Sequence, residues 1–252
     1  MSKPRVALFV TCLVDLYRPS LGFAVLDLLE AAGAEVVVPD RQTCCGQPAY
    51  NSGDFTTARA LARHALRAFA DCDYIVLPSG SCAAMLRCHY PRLFPADTPE
   101  GEEARRFAER VFELSRLLLE ILSWPGSSVR VEARAAYHDA CSGLRELGIR
   151  EEPRRLLATV PGLELVELAG CANCCGFGGT FCVKYPEIST RMVDDKARAV
   201  EESGADLLLA GDLGCLLNIA GRLARRGSRI AVRHYAEVLA GRLETPPIGG
   251  PA

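Results

Sequence analysis

Cysteine has the widest range of chemistry among the residues of this sequence, and 12 of its 252 residues are cysteines. Two Cys-Cys-Gly triplets occupy positions 44–46 and 174–176, which are 130 residues apart. Single cysteines precede and follow each triplet at nearly the same offsets, 129 and 133 residues. The pattern therefore predicts two copies of one four-cysteine unit. The two sets are Cys12, Cys44, Cys45 and Cys82 in the first copy, and Cys141, Cys174, Cys175 and Cys215 in the second.

Four thiolates can hold either a zinc ion or an iron–sulfur cluster. Structural zinc sites usually take cysteines two to four positions apart, so that one turn wraps a single ion. Neighbouring cysteines point apart and suit separate iron atoms of a cluster better than one tetrahedral ion. The glycine after each pair also allows a positive φ and a close approach of the backbone. The pattern favours iron–sulfur, and zinc remains the alternative.

Several other residues are weaker candidates. Buried, chemically silent cysteine is common; we expect it for Cys72, but it does not explain two triplets in register. Cys88, Cys171 and Cys182 have no counterparts in the repeat, and we expect at most an incidental role in ligation. His138 precedes Cys141 and suggests an activated cysteine nucleophile. A structural histidine is favoured because the matching first-copy position is the apolar Phe9. No catalytic residue is predicted.

The elements that must position these cysteines follow from the apolar pattern. A short, β-branched-rich run ends just before each cysteine landmark, which is typical of buried strands. Strands alternating with helices predict an α/β fold of two pseudo-repeated lobes, each a parallel sheet flanked by helices. The lobes are predicted at 1–125 and 130–252, and the cysteines at the carboxyl ends of strands, where open parallel sheets bind ligands. Helices are predicted at 19–32, 55–70, 102–123, 153–159, 186–203, 213–225 and 234–242.

The composition limits the classes of function. Apolar residues make up 49% of the chain and charged residues 24%, as in ordinary globular proteins. The formal net charge of -2 argues against a nucleic-acid-binding surface. The N-terminal apolar run is interrupted by Thr11 and Cys12 and has no cleavage site, so we expect a buried strand and not a leader. No run is long enough to span a membrane. We expect a cytoplasmic protein with reduced cysteines.

The cysteine spacing also resembles that of a known family. Each copy reads Cys, 31 or 32 residues, Cys-Cys-Gly, 36 or 39 residues, and Cys, which is similar to the cysteine-rich CCG domain. That domain occurs in heterodisulfide reductase and in the iron–sulfur subunits of glycolate oxidase and anaerobic glycerol-3-phosphate dehydrogenase. Longer stretches resemble the lactate-utilisation members of the family. These stretches are FVTCLVDLYRPSLG, CCGQPAYNSGD, PSGSCAAMLR, NCCGFGGTFCVKYPEIS, MVDDKA and GDLGCLLNIAGRL.

The resemblance implies a function. It suggests a cluster-bearing electron-transfer subunit of a multi-protein system that oxidises L-lactate to pyruvate. The implied partners are a ferredoxin-type iron–sulfur protein and a third small protein. Two alternatives remain: a redox subunit with catalysis at its own cluster, like heterodisulfide reductase or glycolate oxidase, and a structural zinc-binding assembly module.

One departure from the family pattern affects the implied cofactor. Heterodisulfide reductases end each copy in Cys-x-x-Cys and hold a fused cluster with five cysteines. Here the first of those two positions is Ser79 in one copy and Asp212 in the other. Four thiolates per lobe fit an ordinary [4Fe–4S] cluster, one per lobe, or a smaller one. Oxygen ligation by Ser79 or Asp212 would shift its potential.

Overall fold

The chain divides into two compact units, Met1–Pro125 and Gly126–Ala252, with closely matching order of elements. The structure is a computed structural model that describes residues 3–250. Each unit is built on one four-stranded, wholly parallel sheet flanked by helices. This confirms the predicted α/β fold with two pseudo-repeated lobes.

In the first lobe the strand order is β2-β1-β3-β4, with every neighbouring pair parallel. The second lobe repeats this order as β6-β5-β7-β8. The strands of the first lobe are β1 (Arg5–Leu8), β2 (Glu35–Val37), β3 (Tyr74–Leu77) and β4 (Val111–Glu113). Those of the second lobe are β5 (Ala133–His138), β6 (Leu163–Val166), β7 (Leu207–Ala210) and β8 (Ala231–His234).

Helices connect the strands of the first lobe and cover its sheet. The central strands β1 and β3 are almost completely buried, as expected for a parallel sheet covered on both faces. The helices are α1 (Cys12–Tyr17), α2 (Pro19–Ala31), α3 (Gln47–Asn51), α4 (Phe55–Ala68), α5 (Gly80–Ala84), α6 (Pro99–Glu109) and α7 (Leu114–Arg116). Short π-helical turns at Met85–His89 and Leu117–Ile121 and a 3₁₀ turn at Tyr90–Leu93 extend α5 and α7.

The helices of the second lobe follow the same plan. The longest, α11, begins at a proline, whose fixed φ suits the first turn of a helix. The helices are α8 (Cys141–Leu147), α9 (Glu151–Leu157), α10 (Phe181–Lys184), α11 (Pro186–Glu202), α12 (Leu213–Arg225) and α13 (Tyr235–Ala240). Between residues 3 and 250, no helix combines the length and the apolar character needed to cross a bilayer.

One predicted element is wrong. The continuous helix expected over 102–123 is broken by the three-residue strand β4, between α6 and α7. Its register pairs Ile75 with Val111 and Leu77 with Glu113, which completes the sheet edge. The backbone hydrogen bonds gained along β3 override the helical periodicity of the local sequence.

Candidate metal centre

Each four-cysteine set lies at the point where its sheet reverses direction. The chain passes from β1 outward to β2, and then back to β3 on the opposite side of β1. Crevices at such switch points, outside the carboxyl ends of strands, are where open α/β sheets bind ligands. Cys12 follows β1 and begins α1, whereas Cys82 follows β3 and lies within α5. The adjacent pair lies in the loop after the edge strand β2.

The first-lobe thiols lie in contact with one another. The Sγ atoms of Cys12 and Cys44 are 3.9 Å apart, and those of Cys45 and Cys82 are 3.3 Å apart. Cys45 is buried and the other three are half-buried. The first-lobe cluster (Cys12, Cys44, Cys45, Cys82) thus brings together four residues that are up to 70 positions apart in sequence.

Hydrogen bonding within this cluster favours one anionic sulfur. Cys44 accepts from the thiols of Cys12 and Cys45 and from the Gly46 N–H, which together hold its pKa far below the usual range. Donation to Cys44, together with burial, raises the pKa of Cys12. A thiolate is the form of cysteine that binds metals. The cluster therefore already contains one metal-ready sulfur.

The second-lobe cluster (Cys141, Cys174, Cys175, Cys215) reproduces this arrangement. Cys174 accepts from Cys141, from Cys175 and from the Gly176 N–H, and these bonds strongly lower its pKa. Cys175 in turn hydrogen-bonds with Cys215. Cys175 and Cys215 are both buried. The two lobes therefore share one pattern, in which the first cysteine of each adjacent pair accepts from its neighbours.

Glycine after each pair is required by the backbone. Gly46 and Gly176 both have a φ of 84°, in the left-handed region that other residues rarely adopt. This conformation turns each glycine N–H back toward the first cysteine of its pair, at 3.5 Å in the first lobe and 3.4 Å in the second.

A side chain holds the carbonyl of the second cysteine in each pair. The Tyr90 hydroxyl donates to the Cys45 carbonyl at 3.0 Å, and the Asn218 amide donates to the Cys175 carbonyl at 2.8 Å. Tyr90 is completely buried, which raises the pKa of its hydroxyl and keeps it a donor. Each pair is thus fixed from both sides, by the glycine amide and by this donor. Sequence reasoning missed both donors because they lie 45 and 43 positions from the carbonyls that they bind.

Ser79 and Asp212, which replace a family cysteine, begin helices. Ser79 Oγ accepts from the Cys82 N–H at 3.3 Å, and Asp212 Oδ1 accepts from the N–H groups of Gly214 and Cys215 at 3.1 and 3.4 Å. Both have the extended backbone of helix N-caps. Each therefore holds the amide of the fourth cysteine in its set.

Comparison with known proteins follows the same division into two copies. Residues 6–87 and 135–220 each match the CCG cysteine-rich domain. Lactate utilization protein A of Geobacillus kaustophilus (strain HTA426) is 50% identical over 235 residues, covering 93% of this chain and 98% of the relative. The protein of that name from Bacillus subtilis (strain 168) is 46% identical over the same length.

The chain belongs to the lactate utilization protein A family. Among solved structures, a hypothetical protein from Helicobacter pylori superimposes with a TM-score of 0.67 at 12% identity. It covers all of this chain, which spans half of the Helicobacter chain. That likeness shows the fold alone. Membership of the family confirms the resemblance seen in the cysteine spacing.

The remaining cysteines lie outside the two clusters of this family member. The Cys72 thiol donates to the Phe69 carbonyl, and burial raises its pKa, as expected of a packed, unreactive thiol. The thiol of Cys182 donates to the Gly179 carbonyl at 3.6 Å. Cys171 lies beside Asp139, and burial raises its pKa. Cys88 is half-buried in the π-helical turn after α5.

A charged pair supports the second-lobe cluster from behind. Arg154 binds both carboxylate oxygens of Asp139, at 2.8 and 3.0 Å, and also reaches Glu167. Asp139 is almost fully buried, and Arg154 is 13% exposed. The pair ties α9 to the residue that follows β5, two positions before Cys141. It fixes the backbone from which that cysteine projects.

The donor sets fit a thiophilic metal centre. Four sulfurs per lobe, largely shielded from solvent and with one already favoured as an anion, match the ligands of zinc or an iron–sulfur cluster. None of the twelve cysteines, all within the described residues, forms a disulfide. The thiols are therefore available as ligands.

Proposed function

We propose that this chain is the iron–sulfur electron-transfer component of a multi-protein system that oxidises L-lactate to pyruvate. The observation that carries the proposal is the presence of two equivalent four-thiol clusters, one per lobe, at the ligand-binding edge of each sheet. The lactate utilization relatives, matched over nearly their whole length, supply the substrate.

The proposal assigns one cluster, of the [4Fe–4S] type, to each four-cysteine set. When bound, such a cluster supplies one-electron transfer at a potential set by its surroundings. The protein orients the thiolates through Gly46 and Gly176, and it restricts water through burial of Cys45 and Cys175. The eight ligands are Cys12, Cys44, Cys45, Cys82, Cys141, Cys174, Cys175 and Cys215.

The proposal also requires partner proteins. Converting lactate to pyruvate releases two electrons, which must pass onward from the protein that binds the substrate. The expected companions are a ferredoxin-type iron–sulfur protein and a third small protein of the lactate-utilisation system. The absence of disulfides among twelve cysteines is consistent with a reducing, cytoplasmic location.

Metal analysis tests the cofactor directly. Protein purified without oxygen should be brown and contain about four to eight irons per chain with matching acid-labile sulfide. Cys44→Ala should lose roughly half of this iron, because it removes one ligand of one set. Cys72→Ala is the matched control, since it removes a cysteine of the same lobe that lies outside the cluster, and it should retain all the iron. Zinc at two per chain with no iron would refute the proposal.

Reconstitution tests the role in lactate oxidation. The complete set of companion proteins should reduce an acceptor with lactate, and Cys44→Ala should abolish this while the chain stays folded. Lactate oxidation by the isolated chain would instead favour catalysis at its own cluster.

A structural zinc module is the second candidate, and one observation favours it. A tetrahedral zinc site with bonds of about 2.3 Å has sulfurs about 3.8 Å apart, and the Cys12 and Cys44 sulfurs are 3.9 Å apart. If zinc only staples the fold, Cys174→Ala should unfold the second lobe. A folded Cys174→Ala protein that has lost electron transfer would exclude the staple.

A further inference from the structure

His138 is a buried histidine with unusual surroundings. It is the last residue of β5, its side chain is completely buried, and neither ring nitrogen has a hydrogen-bond partner among the described residues. Leaving a buried polar atom unpaired destabilises a protein by about 1–3 kcal/mol. The ring has two such atoms, which indicates that a group absent from the protein chain satisfies at least one of them.

The ring lies against the second-lobe cluster. A ring nitrogen of His138 and the sulfurs of Cys175 and Cys215 all lie within 4.8 Å of one another. All three residues are buried, so water does not compete for the space between them. An imidazole nitrogen and two thiolates are the mixed donor set that zinc, iron and iron–sulfur centres accept.

The opposite side of the ring has the surroundings of a metal ligand. The Cys171 carbonyl lies close enough to favour a proton on the ring, although the contact does not reach normal hydrogen-bond geometry. Lys196 fixes that region of backbone, since its Nζ donates to the Gly170 carbonyl at 2.6 Å and to the Cys171 carbonyl at 3.3 Å. Metal-binding histidines usually direct their second nitrogen toward a carbonyl or carboxylate in this way.

The first lobe lacks this feature. The position three residues before Cys12 is Phe9, just as His138 is three residues before Cys141. Phe9 is buried and stacks on Phe69 with ring centroids 5.1 Å apart. An apolar ring therefore fills this site in one lobe, and a ring with two nitrogen atoms fills it in the other.

We propose that His138 is an additional, imidazole ligand of the second-lobe centre, which makes the two centres of the chain chemically different. The inference rests on the proposed function in one respect, that each cluster binds iron. Imidazole in place of thiolate raises the potential of iron–sulfur centres. The second centre is thus distinguished from the first by a neutral ligand that only it possesses.

Pulsed EPR on the reduced holoprotein tests this ligand. Protein labelled with ¹⁵N-histidine should show a strongly coupled nitrogen, of the size expected for direct bonding to iron, in one of two iron signals. His138→Phe, which copies the first lobe, should lose that coupling and shift one reduction potential while the other stays unchanged. His234→Asn is the matched control because His234 is a buried histidine at the end of β8 that caps α13, and it should retain the coupling.

The outcomes separate the inference from the proposed function. Absence of iron would overturn both. Two iron signals without a strongly coupled nitrogen, or a coupling that persists in His138→Phe, would overturn the ligand alone. If His138→Phe fails to fold, His138→Cys offers sulfur at the same place. It should keep the iron of both lobes and lose the nitrogen coupling, and retention of the coupling would refute the assignment.

Discussion

The glycines after the two cysteine pairs allow a matched test of how tightly each lobe encloses its cluster. Gly46 and Gly176 have the same φ of 84°, so alanine meets the same backbone strain at both. Their surroundings differ. A methyl group at position 46 would lie 3.4 Å from Leu61 Cδ1, an ordinary contact with the end of a flexible side chain. At position 176 it would lie 2.8 Å from the Ser189 carbonyl oxygen and 3.1 Å from Met192 Cβ.

The expected destabilisation follows from these distances. The left-handed conformation costs about 1–2 kcal/mol for a residue with a Cβ, and Gly46→Ala should lose no more than that. Gly176→Ala adds a clash with the backbone of α11, which cannot move aside as a side chain can. Overpacking of this kind costs typically about 1–3 kcal/mol. We therefore expect a total of about 2–5 kcal/mol for Gly176→Ala.

Urea denaturation of anaerobically prepared protein, followed by circular dichroism, measures both variants against the unmodified chain. Iron content, measured in parallel, should fall more in Gly176→Ala than in Gly46→Ala. Equal losses of stability in the two variants would show that backbone strain alone matters. A greater loss in Gly46→Ala would refute the steric reasoning.

Three further substitutions probe the surroundings of the clusters. Asp212→Ala should destabilise the protein by about 1 kcal/mol through loss of a helix cap, with iron retained, whereas Asp212→Asn should keep both; loss of iron in both variants would identify an oxygen ligand. Tyr90→Phe removes the donor to the Cys45 carbonyl and should lower the free energy of unfolding by about 1 kcal/mol, with faster iron release to a chelator as the second measurement. Arg154→Ala leaves Asp139 buried without its partner and should cost about 3–5 kcal/mol in urea denaturation; a loss below about 1 kcal/mol would show that water replaces the arginine.

The sequence was informative where spacing and periodicity carry the signal. Helix α12 has the predicted limits, 213–225, because a polar cap, an apolar stripe and a final pair of arginines define it locally. The eight repeated cysteines were identified from their offsets, and the structure brings each set of four together. Their register relative to the strand ends follows from the parallel topology, which the alternating pattern predicts.

The parts that were missed depend on contacts distant in sequence. Nothing local separates β4 from the helices around it, since it pairs with β3 some 36 positions earlier. Strand β8 was also missed, because its four residues are recognisable only beside β7. His138 was expected to be structural on the basis of its apolar counterpart. Its unpaired nitrogens and its closeness to Cys175 become visible only once β5 and the 174–176 loop are placed together.

The strand order has a consequence for how each lobe is loaded. The adjacent cysteines follow β2 and β6, which lie at sheet edges and pair with one neighbour each, whereas the other two cysteines follow strands inside the sheet. Edge strands open at lower free energy than interior strands, as amide hydrogen exchange shows in many proteins. Two thiols of each set thus stand on a rigid platform and two on a hinged arm. A preassembled inorganic cofactor can enter through the open arm and be enclosed as the edge strand pairs again, without unfolding of the lobe.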